Sequence, residues 1–303
     1  MQKVRLLICP LVSSDLRRAI RCVESALNQY ENTLEHEVKV VINSKDESFV
    51  SDMTTYCLGK KIDFEVTISD GTASTGKNSV FDVFNNTDYT HLTQLDGDDI
   101  FYPTFLRHIE RHLTKYPNTD VLSTIPCDSI FENSSENYKE LKNGNYACLW
   151  GNNYVDFRDY LPFGRDPIVD NVSIPNYARL ILFSKKASEN FKYDSEVLVG
   201  EDLKIHFDFL WAHQHDELSY WFTTASDMWV RDTCSFGMQK KVSNHKVDGK
   251  HVILHNNDMF EKVKSHVLSK MYDFRTGPAE IPVDVAPMFL YYEDKVNFLN
   301  KII

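Results

Sequence analysis

No run of about eighteen apolar residues occurs in the 303-residue sequence, so no membrane-spanning helix is expected. The apolar stretch at residues 4–9 is too short for a secretory leader and reads as a first strand. Six cysteines are present and no two have CxxC spacing, which leaves no zinc ribbon and no dithiol redox motif. Scattered thiols of this kind suit a reducing, cytoplasmic setting. Basic residues are in deficit, with 33 Lys and Arg against 44 Asp and Glu and a formal charge of −11. A nucleic-acid partner needs a basic face and an anionic membrane favours one, so both are disfavoured. There is no internal repeat and no flexible linker.

What is present is a globular chain, 42% apolar and therefore able to furnish a sizeable core. Apolar runs at residues 4–9, 38–42, 62–68, 90–95 and 121–125 read as strands, the first stopped by Pro10. Between them, residues 15–29, 46–58, 77–84 and 105–115 read as helices, with Ser13 and Ser14 placed to cap the first. The alternation predicts a mostly parallel central sheet with helices on both faces. The second half is less regular. Residues 133–145 are polar and loop-like, and residues 151–175 mix Tyr154, Phe157, Tyr160 and Phe163 with charge. Residues 178–183 read as a strand, a helix opens at Gly200-Glu201-Asp202, and a last helix spans about residues 288–303.

Against this frame the acids at one strand end stand out. Leu95-Asp96-Gly97-Asp98-Asp99 crowds three carboxylates into four positions, and Gly97 permits a tight turn. Mutually repelling acids call for a cation. Mg²⁺ or Mn²⁺ takes oxygen ligands, usually one or two carboxylates plus substrate phosphates. Strand ends in open α/β sheets are also where ligands bind. A solvated turn with Asp98 or Asp99 capping the next helix accounts for the same residues. An EF-hand does not, because the sixth position from Asp96 is Phe101 and the twelfth is Arg107. Glu201 and Asp202 open a helix, where the dipole favours acids and where a general base can be held. His251 and His255 flank a short apolar run. His108 and His112 share a helix face, but Glu110 is misplaced for HExxH, which argues against zinc. His213 and His215 lie at a helix end and read as solvated. Tyr220, Trp221 and Trp229 suit either a sugar-stacking platform, along with the aromatics at 154–163, or core packing.

The order of these parts resembles the inverting nucleotide-sugar glycosyltransferases of the GT-A fold, in particular the large family 2-like group. The resemblance covers about residues 3–257 and is carried by the LDGDD step followed by Pro103, then Glu201-Asp202, then His255-Asn256. It implies a GT-A type α/β fold with a nucleotide-binding N-terminal half and an irregular, acceptor-binding C-terminal half. In residue terms this is a transferase domain over 1–260, divided at 128/129, and a helical extension over 261–303 packed on it. It implies a UDP-sugar donor, a glycan, lipid-linked or protein hydroxyl as acceptor, and Mn²⁺ or Mg²⁺ as cofactor. Asp98 would bind the metal, with His255 approaching it and Asp96 orienting its shell or holding the ribose. Asp99 would support the turn. Asp202 would be the catalytic base and Glu201 its neighbour. Pro10, Val12 and Asn43 would line the nucleotide base, and Lys77 and Asn78 would contact the nucleotide. Asn43-Ser44 replaces the family's usual aspartate pair, which loosens the preference for uracil, and Lys77 replaces its arginine, losing the planar fork. A sugar-phosphate nucleotidyltransferase would show a Gly-rich basic loop, and residues 9–14 contain no glycine. A non-catalytic nucleotide- or glycan-binding relic would have little reason to carry both Asp98 and Asp202.

Overall fold

The structure, a computed structural model, describes residues 3–30, 32–69, 72–124, 128–131, 139–142, 145–149, 163–165, 173–175, 179–196, 201–232, 246–247, 250–251 and 282–303. Its strands and helices follow one another as β1 (Arg5–Val12), α1 (Leu16–Leu27), β2 (Glu35–Asn43), α2 (Glu47–Lys60), β3 (Asp63–Thr67), α3 (Ala73–Asn85), β4 (His91–Asp96), β5 (Ile100–Phe101), α4 (Phe105–Lys115), β6 (Val121–Thr124) and β7 (Asp128–Phe131). They continue with β8 (Lys139–Glu140), β9 (Tyr146–Cys148), β10 (Phe163–Arg165), β11 (Ser173–Pro175), β12 (Arg179–Ser184), α5 (Lys185–Asn190), α6 (Glu201–Gln214), β13 (Tyr220–Thr223), β14 (Trp229–Asp232), β15 (Lys246–Val247), β16 (Lys250–His251), β17 (Val283–Asp284) and α7 (Tyr292–Ile302). None of the described helices is long and apolar enough to cross a membrane.

The main sheet has eight strands in the order β17-β13-β6-β12-β4-β1-β2-β3. All neighbours are parallel except β12, which runs antiparallel to both β4 and β6. The period of two along β1 and β2 sends alternate residues to opposite faces. Leu7, Cys9 and Val41 pack with α3, α5 and α6 through Phe81, Phe84, Ala187 and Phe209. Leu6 and Ile8 pack with α1 and α4 through Cys22, Ala26, Phe105 and Ile109, while Val40 and Ile42 meet Phe49 and Met53 of α2. This is the expected α/β class, a mostly parallel sheet with helices on both faces.

Several local expectations need correction. Pro10 does not stop β1. It lacks the N–H for a rung, so Cys9 and Pro10 skip their pairing with β2, and the register resumes unchanged from Ile8↔Val38 to Leu11↔Val41. Asp15, rather than Ser13 or Ser14, caps α1, accepting the Arg18 N–H at 3.2 Å. The third helix starts at Ala73 rather than Lys77, because Thr72 caps it. Tyr220 and Trp229 lie in strands and are buried. The Tyr220 hydroxyl donates to Ser123 Oγ at 2.8 Å, and Trp221 stacks on Tyr116 at 3.8 Å. Packing, not a sugar platform, accounts for these three; Tyr154, Phe157 and Tyr160 lie outside the described residues.

A second sheet, β5-β14-β7-β9-β8, stands beside the first and receives the C-terminal segment. Leu290, Val296 and Leu299 pack on its Ile100, Ile130 and Val230. Three buried carboxylates hold that segment. Asp227 accepts the backbone N–H groups of Phe289 and Leu290 at 2.9 and 2.8 Å and bonds His108 Nε2 at 2.8 Å. Asp284 bonds His112 Nδ1 at 3.0 Å and pairs with Arg111. Asp128 meets Lys295 Nζ at 2.8 Å and the Tyr102 hydroxyl at 2.7 Å. The two helix-face histidines are thus structural.

Burial opposes ionisation of Asp227 and Asp284, but hydrogen bonds from His108 and from His112 and Arg111 outweigh it and hold both carboxyls below the usual range. A depressed folded pKa gives stability that is complete above the unfolded value of about 4 and is lost as pH falls through the folded value. Asp284→Asn is therefore expected to cost about 1–3 kcal/mol near neutrality, with the gap to wild type closing as melting is followed down through pH ~4. A gap independent of pH would contradict this. Lys295→Met alone should cost about 3–5 kcal/mol in urea unfolding, because it strands a buried carboxylate. Adding Asp128→Asn should recover much of that, and a double variant no more stable than the single one would disprove the pairing.

Candidate functional site

β1, β2 and β4 are parallel neighbours with Leu11 opposite both Val41 and Asp96, so their carboxyl ends share one edge of the sheet. Val12, Asn43 and Asp96 are the last residues of these three strands. Beyond β4 the chain turns sharply, and Asp99 N–H donates to Asp96 O at 2.9 Å. Gly97 is dictated by close packing: a Cβ there would stand 2.6 Å from Leu11 O and 2.9 Å from Val12 Cα. The absence of a side chain lets the acidic turn press against the end of β1.

The turn meets an arginine that the sequence did not single out. Arg179 Nη1 lies 2.6 Å from Asp96 Oδ2 and 3.5 Å from Asp99 Oδ2, and its guanidinium stands 4.7 Å from the Trp229 ring centroid. Arg179 opens β12. Because β12 runs antiparallel to β4, it begins where β4 ends. Asp99 is buried and accepts the Asp232 N–H at 3.3 Å. Asp232 in turn is paired with Arg18, at 3.2 Å, and with Arg21, which donates to Asp98 O at 3.2 Å. Asp98 itself is half-buried.

A second cation sits across the site. Lys77, buried on α3, places Nζ 2.9 Å from Glu201 Oε1 and also pairs with Asp202. The Tyr193 ring centroid is 5.2 Å from the ammonium. Glu201 is buried, while the Asp202 side chain is 52% exposed, so of the two adjacent acids only Asp202 is open to an incoming group. Burial disfavours the charges on Lys77 and Arg179, but the acids outweigh it and raise both pKa values. Lys77 responds to Asp202, Asp96 and Glu201, and Arg179 to Asp96, Asp99 and Asp202. The charge of Asp96 thus reaches Lys77 and that of Asp202 reaches Arg179, which sets the turn at 96–99 and the start of α6 near one another. Burial also opposes ionisation of Asp96, but Arg179 and Lys77 reverse that and push its pKa down. Burial pushes Asp99 well up, against Arg179 and with Asp98 and Asp96 adding to it. Burial likewise raises Glu201, with Asp202 adding and Lys77 opposing.

The other expected nucleotide contacts are distributed around this centre. Pro10 and Val12 are buried in β1. The Asn43 amide donates to Ser79 Oγ at 3.1 Å and accepts from Ser69 Oγ at 2.9 Å. Asn78 brackets the Tyr193 backbone, donating to its carbonyl at 2.8 Å and accepting its N–H at 2.9 Å. His255 lies outside the described residues. Among the described residues no group of three or more His, Cys, Asp or Glu side chains comes together to hold a metal. Asp96 and Asp99 are directed at Arg179, so those two carboxylates do not make a metal cage between them. The one sequence signal for Arg179 is a basic residue opening an otherwise apolar strand.

No family model matches the sequence, and no curated protein matches it. Among solved structures, S. aureus TarS is similar at 12% identity and a TM-score of 0.47, over 89% of this chain and 44% of that one. This chain therefore spans less than half of that protein's length. S. aureus TarS 1-349 in complex with UDP-GlcNAc is similar at 12% identity and a TM-score of 0.49, over 90% and 74% of the two chains. Its complex with UDP gives 12% and 0.48, over 90% and 73%. Likenesses this faint have no bearing on the chemistry of the site.

Gly97→Ala is expected to lower stability by about 1–3 kcal/mol, because backbone atoms rather than a flexible side chain meet the added carbon. An unchanged melting temperature would contradict the close approach of the acidic turn to β1.

Proposed function

We propose that this chain is a nucleotide-sugar glycosyltransferase of the GT-A type, transferring a sugar from a nucleoside diphosphate, UDP favoured, to an acceptor hydroxyl with inversion. The observation that supports this reading is that the acidic turn at Asp96–Asp99, paired with Arg179, lies at the carboxyl edge of a mostly parallel sheet and near the Glu201-Asp202 pair, which is held by Lys77. That edge is where open α/β sheets bind nucleotides. Diphosphate recognition also needs fixed cations, and a planar guanidinium suits phosphate oxygens.

In this reading residues 1–128 bind the donor, residues 129–260 receive the acceptor and residues 261–303 form the extension. Asp96 takes the ribose hydroxyls, and Val12 and Asn43 border the base. Asp202, the more exposed of the two acids, removes the acceptor hydroxyl proton. The freed oxygen pair forms the bond to the anomeric carbon from the face opposite the leaving group. The bond from that carbon to the diphosphate oxygen breaks, and its electron pair departs with the nucleoside diphosphate. Glu201 is a positioning residue, since its buried carboxyl holds Lys77, and Lys77 holds Asp202.

The test combines calorimetry of UDP and GDP with release of UDP from a panel of UDP-hexoses, water serving as acceptor. Wild type should bind UDP and release it from at least one donor. Asp202→Asn should lose roughly 10²- to 10⁴-fold in rate while binding UDP as before. A variant that keeps most of its rate would remove Asp202 as the base, and a wild type that binds neither nucleotide would remove the donor site.

A further inference from the structure

We infer that Arg179 is the resident counter-cation of the acidic turn and competes with divalent metal ions for Asp96 and Asp99. The inference takes its relevance from the donor-site reading but not its test. Three observations support it. The guanidinium reaches both carboxylates, at 2.6 and 3.5 Å, from one nitrogen. The following residues of β12, Leu180, Ile181 and Leu182, are 6%, 2% and 0% exposed, so the arginine's attachment point is fixed by the core. The flat side chain rests near Trp229, at 4.7 Å, in a cation–π contact that favours this rotamer.

A divalent ion binding Asp96 or Asp99 would have to displace this group or lie beside it, and arginine cannot shed its proton to relieve the repulsion. Asp99 has little freedom to turn away, because the backbone N–H of Asp232 holds its other oxygen and Arg18 and Arg21 hold Asp232. An arriving diphosphate is different. It brings negative charge, and a guanidinium with five donors can donate to phosphate oxygens while keeping a carboxylate. The site therefore carries its own fixed cation, whereas a pure carboxylate turn would depend on a metal for its charge balance.

Mn²⁺ binding in the absence of nucleotide, read from the electron paramagnetic resonance of the free ion, tests this directly. Wild type and Arg179→Lys should bind weakly, and Arg179→Gln should bind roughly tenfold more tightly or better, as removing a unit charge at contact distance requires. A Gln variant no tighter than wild type overturns the proposal. Melting curves establish that the variants fold. If the Gln variant does not, Asp96→Asn decides: the proposal requires it to leave the weak wild-type affinity unchanged, and a severalfold loss would show that Asp96 is already a metal ligand. Failure of the donor-site reading would appear separately, as absence of UDP binding, and would leave the Mn²⁺ result standing.

Discussion

A buried lysine and a half-buried arginine among four carboxylates are the interaction on which the site depends: Lys77 with Glu201 and Asp202, Arg179 with Asp96 and Asp99. Withdrawing a charge from water costs several kcal/mol, and the cost is offset only when partners surround it closely. Neither cation is dispensable in that sense, because removing one strands acids that the fold has already buried. Sheet topology delivers them. A parallel strand at the place of β12 would begin at the far edge of the sheet; antiparallel pairing brings Arg179 to the end of β4. The early start of α3 at Ala73 places Lys77 in a formed helical turn, facing the start of α6.

The acidic turn is gripped from both sides. Behind it, Gly97 lies against β1 with no room for a side chain. Ahead of it, β5 pairs with β14, and β14 ends at Asp232, whose N–H meets Asp99 and whose carboxylate meets Arg18 and Arg21 of α1. Further out, Asp128, Asp227 and Asp284 tie the C-terminal segment to the two sheets. The buried carboxylates that hold the C-terminal segment are structural, and the half-exposed Asp202 is left to meet a substrate.

What was legible in the sequence follows from what is local. Strand and helix periods fix the alternation through residue 125, and the crowding of acids at 96–99 and at 201–202 needs no partner to be noticed. Pairing between distant residues carries no such signature. Arg179 meets Asp96 across 83 positions and Lys77 meets Asp202 across 125, so nothing local in the sequence points to either pairing. The histidines at 108 and 112 resemble a metal motif until Asp227 and Asp284 are seen beside them, 119 and 172 residues away. The tryptophans and tyrosine of β13 and β14 suit a platform or a core equally from sequence, because the two strands they occupy are short and carry no clear alternation.

Amide hydrogen exchange with and without UDP tests the central claim most directly, since it asks whether two distant segments answer to one ligand. The account predicts that UDP slows exchange together at residues 96–99 and at the first turn of α6, residues 201–204. Protection at one of these segments without the other, or at neither while UDP is bound, would contradict a single donor site built from both.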